Sequence, residues 1–511
     1  MSGFLDAEAK RGRGALAEAA SAGATKRRQE KALHRPARFG KEHIMDIPAG
    51  GADTPEKSST APSDAPIIDE AAYPPPMQAW YCVSILALAV MINFLDRGIL
   101  NLLVEPIKAD LNLSDVQMSL IMGFAFTFFY AILGLPVARL VDRHSRKHIM
   151  SIGIAIWSVM TAMCGFASTF WHLFLARVGV GVGETTSGPS AYSLLSDYFP
   201  PYKLPRAIAV MNLGFVAGTG LSLIIGGVVI GFVGTSSGYD LPFGIHFRGW
   251  QVVLILVGLP GLLVSALMLT VKEPKRRGIV QTKSSPITEV FQFIFYHKAV
   301  YIPLFAGLAL RTVQMFGLQM WGAPFYSRTF GWSAEQYAYV GGFSLLIAMP
   351  VGLFTGSWLA ERWWKKGIYD ANIRVTVVST LVAVPLAILQ PIMPSPWFAA
   401  GIGFLAALFG GMAAPVENAA LQSVTPNHLR GQVTFLFLFI MNVVGMGLGP
   451  LVIASFTDLI FSEANIRYSI FLSAILMGPP AVVIFWLGMK PYGRAMEAGG
   501  VLPPPPKIAA K

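Results

Sequence analysis

Arg177-Val178-Gly179-Val180-Gly181-Val182-Gly183-Glu184 sets an arginine and a glutamate into an apolar stretch long enough to cross a bilayer. At about 100° per residue, two groups seven residues apart project from one side of a helix, about two turns from each other. Ionisable groups are expensive at that depth and are retained where they face a solute or proton path inside a helix bundle. The segment therefore predicts an all-α membrane protein with a polar interior rather than a soluble domain.

The rest of the chain agrees. Of its 511 residues, 54% are hydrophobic and 13% charged, and the mean hydropathy is +0.56. That is too apolar for a soluble multidomain protein. Cys82 and Cys164 both sit in apolar runs, so neither a disulfide framework nor a metal site is expected. The net charge of +11 is read as basic cytoplasmic loops, and no nucleic-acid partner is expected.

Residues 1–75 lack a sustained apolar period and are rich in Ala, Gly, Ser, Pro and charge, the composition of a disordered basic tail. Ten Lys/Arg between Lys10 and Lys41 suit contact with anionic lipid. No apolar core precedes a cleavage site, so no secretory signal is read here, and Met45 offers an alternative start.

From Gln78 onward, apolar runs near 78–102, 115–138, 147–169, 171–198, 206–233, 249–271, 299–325, 336–360, 372–394, 397–424, 430–457 and 466–489 predict twelve crossings. Lys and Arg concentrate after the even-numbered runs, as at Arg139, Lys203, Lys275, Arg362, Arg430 and Lys490. The opposite loops show little beyond Lys108, Arg248, Arg328 and Arg467, which places both termini in the cytoplasm. The expected division is a six-helix bundle over 76–271, a cytoplasmic linker over 272–298, a second six-helix bundle over 299–489 and a cytoplasmic tail over 490–511. Within the linker, Ile287 to Tyr296 suits a short helix lying on the membrane surface.

A weak repeat supports the division. Run 4 ends Ser193-Leu194-Leu195-Ser196-Asp197-Tyr198-Phe199-Pro200 with Arg206 following, and run 10 ends Ala420-Leu421-Gln422-Ser423-Val424-Thr425-Pro426 with Arg430 following. Corresponding ends in two halves are expected of a duplicated membrane fold.

The loop Ala138-Arg139-Leu140-Val141-Asp142-Arg143-His144-Ser145-Arg146-Lys147 resembles the signature inner loop of the major facilitator superfamily, with Ala138 and Ser145 where glycines are usual. Within it the chain resembles the Spinster-like family of lysolipid and sphingosine-phosphate transporters and their bacterial relatives. That likeness is carried by Asn93-Phe94-Leu95-Asp96-Arg97, Arg146-Lys147 with Trp157, Arg177 through Glu184, and Pro189 with Asp197 to Pro200. It covers roughly residues 90–230; in the second half mainly Pro426, Arg430 and Gly447 through Pro450 agree. The resemblance implies the major facilitator fold, with twelve transmembrane helices in two six-helix bundles, and transport by alternating access.

Four groups of residues are candidates for the chemistry. Glu184, Asp96 and Arg177 form an acidic and basic cluster suited to proton coupling, because desolvation and a nearby guanidinium pull a carboxylate's proton affinity in opposite directions. A fixed pair that only neutralises Arg177 is the alternative. Asp96 and Arg97 project about 100° apart, so at most one faces the central path. Arg311 and Gln314 share a face, and Arg311 suits a clamp on a carboxylate or phosphate; snorkelling of Arg311 to the helix end is the alternative. Glu417, Asn418 and Asn442 are candidate pocket groups, or bonds across helices; Asn93 and Tyr130 are further pocket candidates, with a lipid-facing or core aromatic as the alternative for Tyr130. Arg97, Asp142, Arg143, Arg146 and Lys147 are candidates for the inward gate. The glycines at 179, 181 and 183 are read as sites of close helix packing.

No metal-ligand spacing, phosphate-binding loop or nucleophile elbow appears, so an enzyme or ATP-driven pump is disfavoured and no cofactor beyond a proton gradient is expected. The expected protein is a monomeric, multi-pass plasma-membrane transporter, in the inner membrane if the source is bacterial, surrounded by lipid. The resemblance implies an amphipathic lysolipid or sphingoid molecule with an anionic head as its cargo. Export of small organic anions or hydrophobic drugs is the alternative, and a non-transporting membrane sensor the second.

Overall fold

A computed structural model describes residues 73–200, 202–234, 238–241, 245–276 and 286–503. The basic stretch Lys10–Lys41 and the alternative start at Met45 lie outside the described residues, as does 277–285 of the linker. In chain order the helices are α1 (Pro76–Leu102), α2 (Val104–Leu111), α3 (Asp115–Ser119), a π-helical turn (Leu120–Phe124), α4 (Ala125–Arg143), α5 (Arg146–Cys164), α6 (Phe170–Glu184), α7 (Ser187–Tyr198) and α8 (Leu204–Val233). An antiparallel hairpin, β1 (Gly238–Leu241) with β2 (Ile245–Arg248), precedes α9 (Gly249–Thr270). Then come α10 (Ile287–Tyr296), α11 (Lys298–Phe330), α12 (Ala334–Lys365), α13 (Ala371–Leu389), α14 (Pro396–Val424), α15 (Asn427–Phe439), a longer π-helical segment (Ile440–Leu448), α16 (Gly449–Leu459) and α17 (Ile466–Glu497).

Eleven helical stretches among the described residues are long and apolar enough to cross a membrane. The twelfth crossing is made in two pieces, α6 and α7, with only Thr185 and Thr186 between them. Both threonine hydroxyls turn back on the chain, Thr185 onto the Gly181 carbonyl at 2.8 Å and Thr186 onto that of Gly183 at 2.9 Å. Such back-bonding competes with the helical ladder and bends or interrupts it.

Local chemistry starts and stops the other elements. Ser114 and Gln117 form a capping box at α3, and Ser333 and Gln336 form another at α12. Gly331, at φ +72°, ends α11 in the left-handed conformation that glycine takes without strain. The last helix runs eight residues past the expected end at 489, so part of the expected tail continues α17 to Glu497.

The crossings form two six-helix bundles. Within the amino half, α1 packs along α8 and α5 along α9; within the carboxyl half, α12 and α13 pack along α14, and α11 along α17. The halves meet where α8 lies against α12 and where the two π-helical segments touch. The side chains on these inner surfaces build the site.

Candidate transport site and gates

Two buried arginine–carboxylate pairs face the interior, one in each half. In the amino half, Glu184 is the last residue of α6, and its Oε2 accepts from Arg97 Nε at 3.0 Å and from Arg97 Nη2. The guanidinium lies over the rings of Phe126 at 4.2 Å and Phe94 at 5.1 Å. Its side chain keeps 15% exposure while that of Glu184 is fully buried, so the arginine is the solvent-facing member.

The spacing of Arg177 and Glu184 suggested partners, but the structure gives Glu184 to Arg97 instead. Seven residues of α-helix rise about 10.5 Å, too far for an ion pair between side chains on the same side of a straight helix. Arg177 lies deeper, within electrostatic reach of Asp96, with its guanidinium carbon 6.0 Å from the Phe126 ring centre. Asp96 is buried and its Oδ2 accepts from the Thr161 hydroxyl at 3.3 Å. Asp96 also lies within electrostatic reach of Glu184 and Arg97, so the four groups form one cluster. Asp96 Oδ1, Arg177 Nε and Glu184 Oε1 find no protein partner among the described residues. Close approach assembles this cluster: a Cβ at Gly181 would come within 2.6 Å of the Phe126 carbonyl oxygen.

In the carboxyl half, Arg311 on α11 donates through Nη2 to Glu417 Oε2 on α14. Both were candidate pocket groups, and the structure makes them partners. Arg311 Nε and Glu417 Oε1 have no protein partner among the described residues. Gln314 stands one turn from Arg311 and is half-buried. The other candidates are more local. Asn418 accepts from Gln422 at 3.0 Å, and Asn442 donates to the Leu438 carbonyl at 2.8 Å, each within its own helix. Asn93 is buried on α1, and Tyr130 stacks on Phe126 at 5.8 Å.

At the end of the bundle opposite the basic loops, a charged network joins the halves. Arg328 of α11 binds Asp115 through both terminal nitrogens, at 2.7 and 2.9 Å, and donates to Glu105 at 2.8 Å. Lys108 pairs with Asp115 and reaches Glu463 of the carboxyl half at 3.0 Å. Below it, Trp321 Nε1 donates to the Pro450 carbonyl at 3.0 Å, and Val116 N–H donates to Asp458 at 2.9 Å. Asp115 is fully buried at the centre of this latch, while the side chains of Glu105 and Glu463 at its rim are partly exposed. Sequence reasoning missed it: Lys108 and Arg328 stood out only as stray charges, and Asp115 reads as an ordinary first-turn acid after the Ser114 cap.

The ion pairs described at the basic end do not bridge the two halves. Arg146 holds Asp197, Glu273 at the start of the linker at 2.8 Å and the carbonyls of Ser193 and Pro274, both at 3.0 Å. His428 of the carboxyl half approaches Glu289 of α10, in the linker, at 3.4 Å. Glu273 also caps α5, accepting from the Ser145 hydroxyl and the Lys147 N–H, each at 3.0 Å. Partial burial pushes its pKa up, but the Arg146, Lys147 and Ser145 donors outweigh this and hold it below the usual carboxylate range. Lys147 Nζ donates to the Leu269 carbonyl at 3.2 Å, while Asp142 and Arg143 are exposed. Of the candidate gate residues, Arg97 approaches the other half, through Met446.

Comparison with known proteins places this geometry in context. Residues 86–450 match the model of the Major Facilitator Superfamily. A protein of Mycolicibacterium smegmatis described as an MFS-type efflux pump is 25% identical over 440 residues, 85% of this chain and 98% of that protein. Protein spinster homolog 1 of Xenopus tropicalis is 28% identical over 245 residues, 47% of this chain and 44% of that protein. Among solved structures, a bacterial homologue of the human lysosomal transporter Spinster, inward-facing and unoccupied, superposes with a TM-score of 0.69 at 25% identity, covering 83% of this chain and 98% of that one.

Proposed function

The chain belongs to the Major Facilitator Superfamily and is a membrane transporter; from that premise we propose that it is a proton-coupled secondary carrier of amphipathic, lysolipid-like or sphingoid molecules with an anionic head. The observation that carries the reading is the pair of interior arginine–carboxylate contacts, Arg97–Glu184 and Arg311–Glu417, one in each half. A scaffold has no need to bear the cost of such charges. In the carboxyl half, Glu417 occupies Arg311 much as a substrate carboxylate or phosphate would, so an anionic head group competes for or shares that guanidinium. In the amino half, a proton on Glu184 releases Arg97 from its charge partner.

The latch supports alternating access between two rocking bundles. With the basic loops and both termini in the cytoplasm, by the positive-inside rule, the Arg328–Asp115 network closes the outer face while the inner ends of the two halves keep separate ion pairs. The membrane is the plasma membrane, or the inner membrane of a bacterium.

Uptake by vesicles containing the purified protein, screened against lysolipids and small organic anions with and without a pH gradient, tests the reading. Accumulation of lysolipid that depends on both tail length and the gradient is the expected result. A second reading, export of small organic anions or hydrophobic drugs, is favoured by the efflux-pump description of the Mycolicibacterium smegmatis relative. Transport indifferent to tail length would support it.

A further inference from the structure

We propose that Met446 is the positioning residue through which the carboxyl half senses the Arg97–Glu184 pair, resting on the reading of Glu184 as the coupling carboxylate. Arg97 Nη1 lies 3.9 Å from Met446 Sδ, a contact between residues 349 positions apart and in opposite halves. Met446 is only 6% exposed, so its side chain is held against the guanidinium rather than free in a cavity.

The backbone beneath it is unusual in a way that suits this role. Met446 lies in the π-helical segment Ile440–Leu448, and the facing residue, Gly123, lies in the π-helical turn Leu120–Phe124. A Cβ at Gly123 would come within 2.5 Å of the Met446 carbonyl oxygen and 3.1 Å of that of Gly447. The two irregular turns thus touch backbone to backbone. On the other side, a Cβ at Gly445 would come within 2.7 Å of Thr312, one residue from Arg311. The segment carrying Met446 therefore lies between the amino-half pair and the helix that bears the carboxyl-half arginine.

A π-helical turn bonds i to i+5 and so takes an extra residue into the surrounding α-helix, leaving the ladder irregular at that point. Movement of Arg97 when Glu184 loses its charge is thus passed through Met446 to a segment able to yield. Met446 acts on Arg97 and on the helix; it forms no bond with the cargo or the proton.

The test uses the full chain in nanodiscs, spin-labelled at Phe232→Cys and Leu459→Cys, exposed positions at the latched ends of α8 and α16. Because Arg97–Glu184 is formed in the latched state, Glu184→Gln is expected to lengthen the label distance, shifting the two populations on the order of fivefold or more. Met446→Ala should abolish that response. Met446→Leu, which keeps the reach, should retain most of it. Should alanine leave the protein unfolded, Met446→Val keeps an apolar side chain but cannot reach the guanidinium, and is expected to abolish the response as well. A Glu184→Gln shift that survives both truncations overturns the proposal while the reading of Glu184 stands. No shift with Met446 in place overturns both.

Discussion

Arg97 and Glu184, on the first and fourth crossings, form a part-buried ion pair in which one carboxylate oxygen takes both contacts and the other has no protein partner among the described residues. Under the proposed coupling, a proton on Glu184 takes the place of its contact with Arg97. Glu184→Gln mimics the protonated form at similar volume. It is expected to abolish gradient-driven accumulation in vesicles while leaving substrate exchange and folding intact. Accumulation against a gradient by the mutant would move the coupling site elsewhere, with Asp96 next.

Much of this architecture is written in the apolar runs. Twelve stretches of membrane length and the bias of basic loops are enough to anticipate two six-helix bundles, because hydrocarbon thickness and helix rise leave few other solutions. The partners of the charges are not written there. Periodicity places Arg177 and Glu184 on one side of a helix, yet it carries no information about Arg97 approaching from another helix. The break at Thr185 and Thr186 does leave a trace, since Glu184-Thr185-Thr186-Ser187-Gly188-Pro189-Ser190 is polar and holds Gly and Pro, but the length of the whole run reads as one crossing. Asp115, Lys108 and Arg328 look like the sparse charges of outer loops, and only the meeting of the halves makes them a buried network.

Disrupting that network should open the latched end. Arg328→Ala removes the bidentate partner of a fully buried Asp115, and breaking such a pair typically costs about 3–5 kcal/mol. Lys108 remains to neutralise part of the charge, so the effect falls on the closed conformation more than on folding. A cysteine at Leu459 or Phe232 should then report a longer interhalf distance, and transport should slow because reclosure is impaired. An unchanged distance distribution would show that the latch does not determine which end is open.

The Glu273 cluster at the basic end makes a pH prediction. Glu273 is held below its ordinary pKa by Arg146, Lys147 and Ser145. A depressed carboxylate contributes stability above its unfolded pKa and loses it as pH falls through the folded value. Thermal stability should therefore decline as pH drops below the ordinary carboxylate range, and Glu273→Gln should lower stability at neutral pH while flattening this decline. Loss of a helix cap typically costs roughly 0.5–2 kcal/mol. Identical acid sensitivity in the mutant would assign the decline to other carboxylates.

Orientation is checked by labelling. Cysteines placed near Lys203 and near Lys275 should react with impermeant reagents only from the cytoplasmic side, as the loop charges require. Reaction from outside at either position would reverse the assignment of the latched end.

The carboxyl-half pair gives a test of the cargo. Arg311 is bound to Glu417, so a ligand with a phosphate or carboxylate head must share or displace that carboxylate. A planar guanidinium can serve both at once through its fork of donors, whereas a lysine ammonium cannot reproduce that geometry. Arg311→Lys should weaken binding of an anionic ligand, and Arg311→Ala should weaken it further, by on the order of 1.5–3 kcal/mol for a charge-assisted hydrogen bond. Because alanine also leaves Glu417 buried without its partner, Arg311→Ala with Glu417→Gln serves as the control for structural damage. Affinity for an uncharged analogue with the same tail should barely change in any of these variants, measured by calorimetry or ligand-induced thermal shift. Equal losses for charged and uncharged ligands, persisting in the double mutant, would make Arg311 a structural partner of Glu417 and remove the main support for an anionic head.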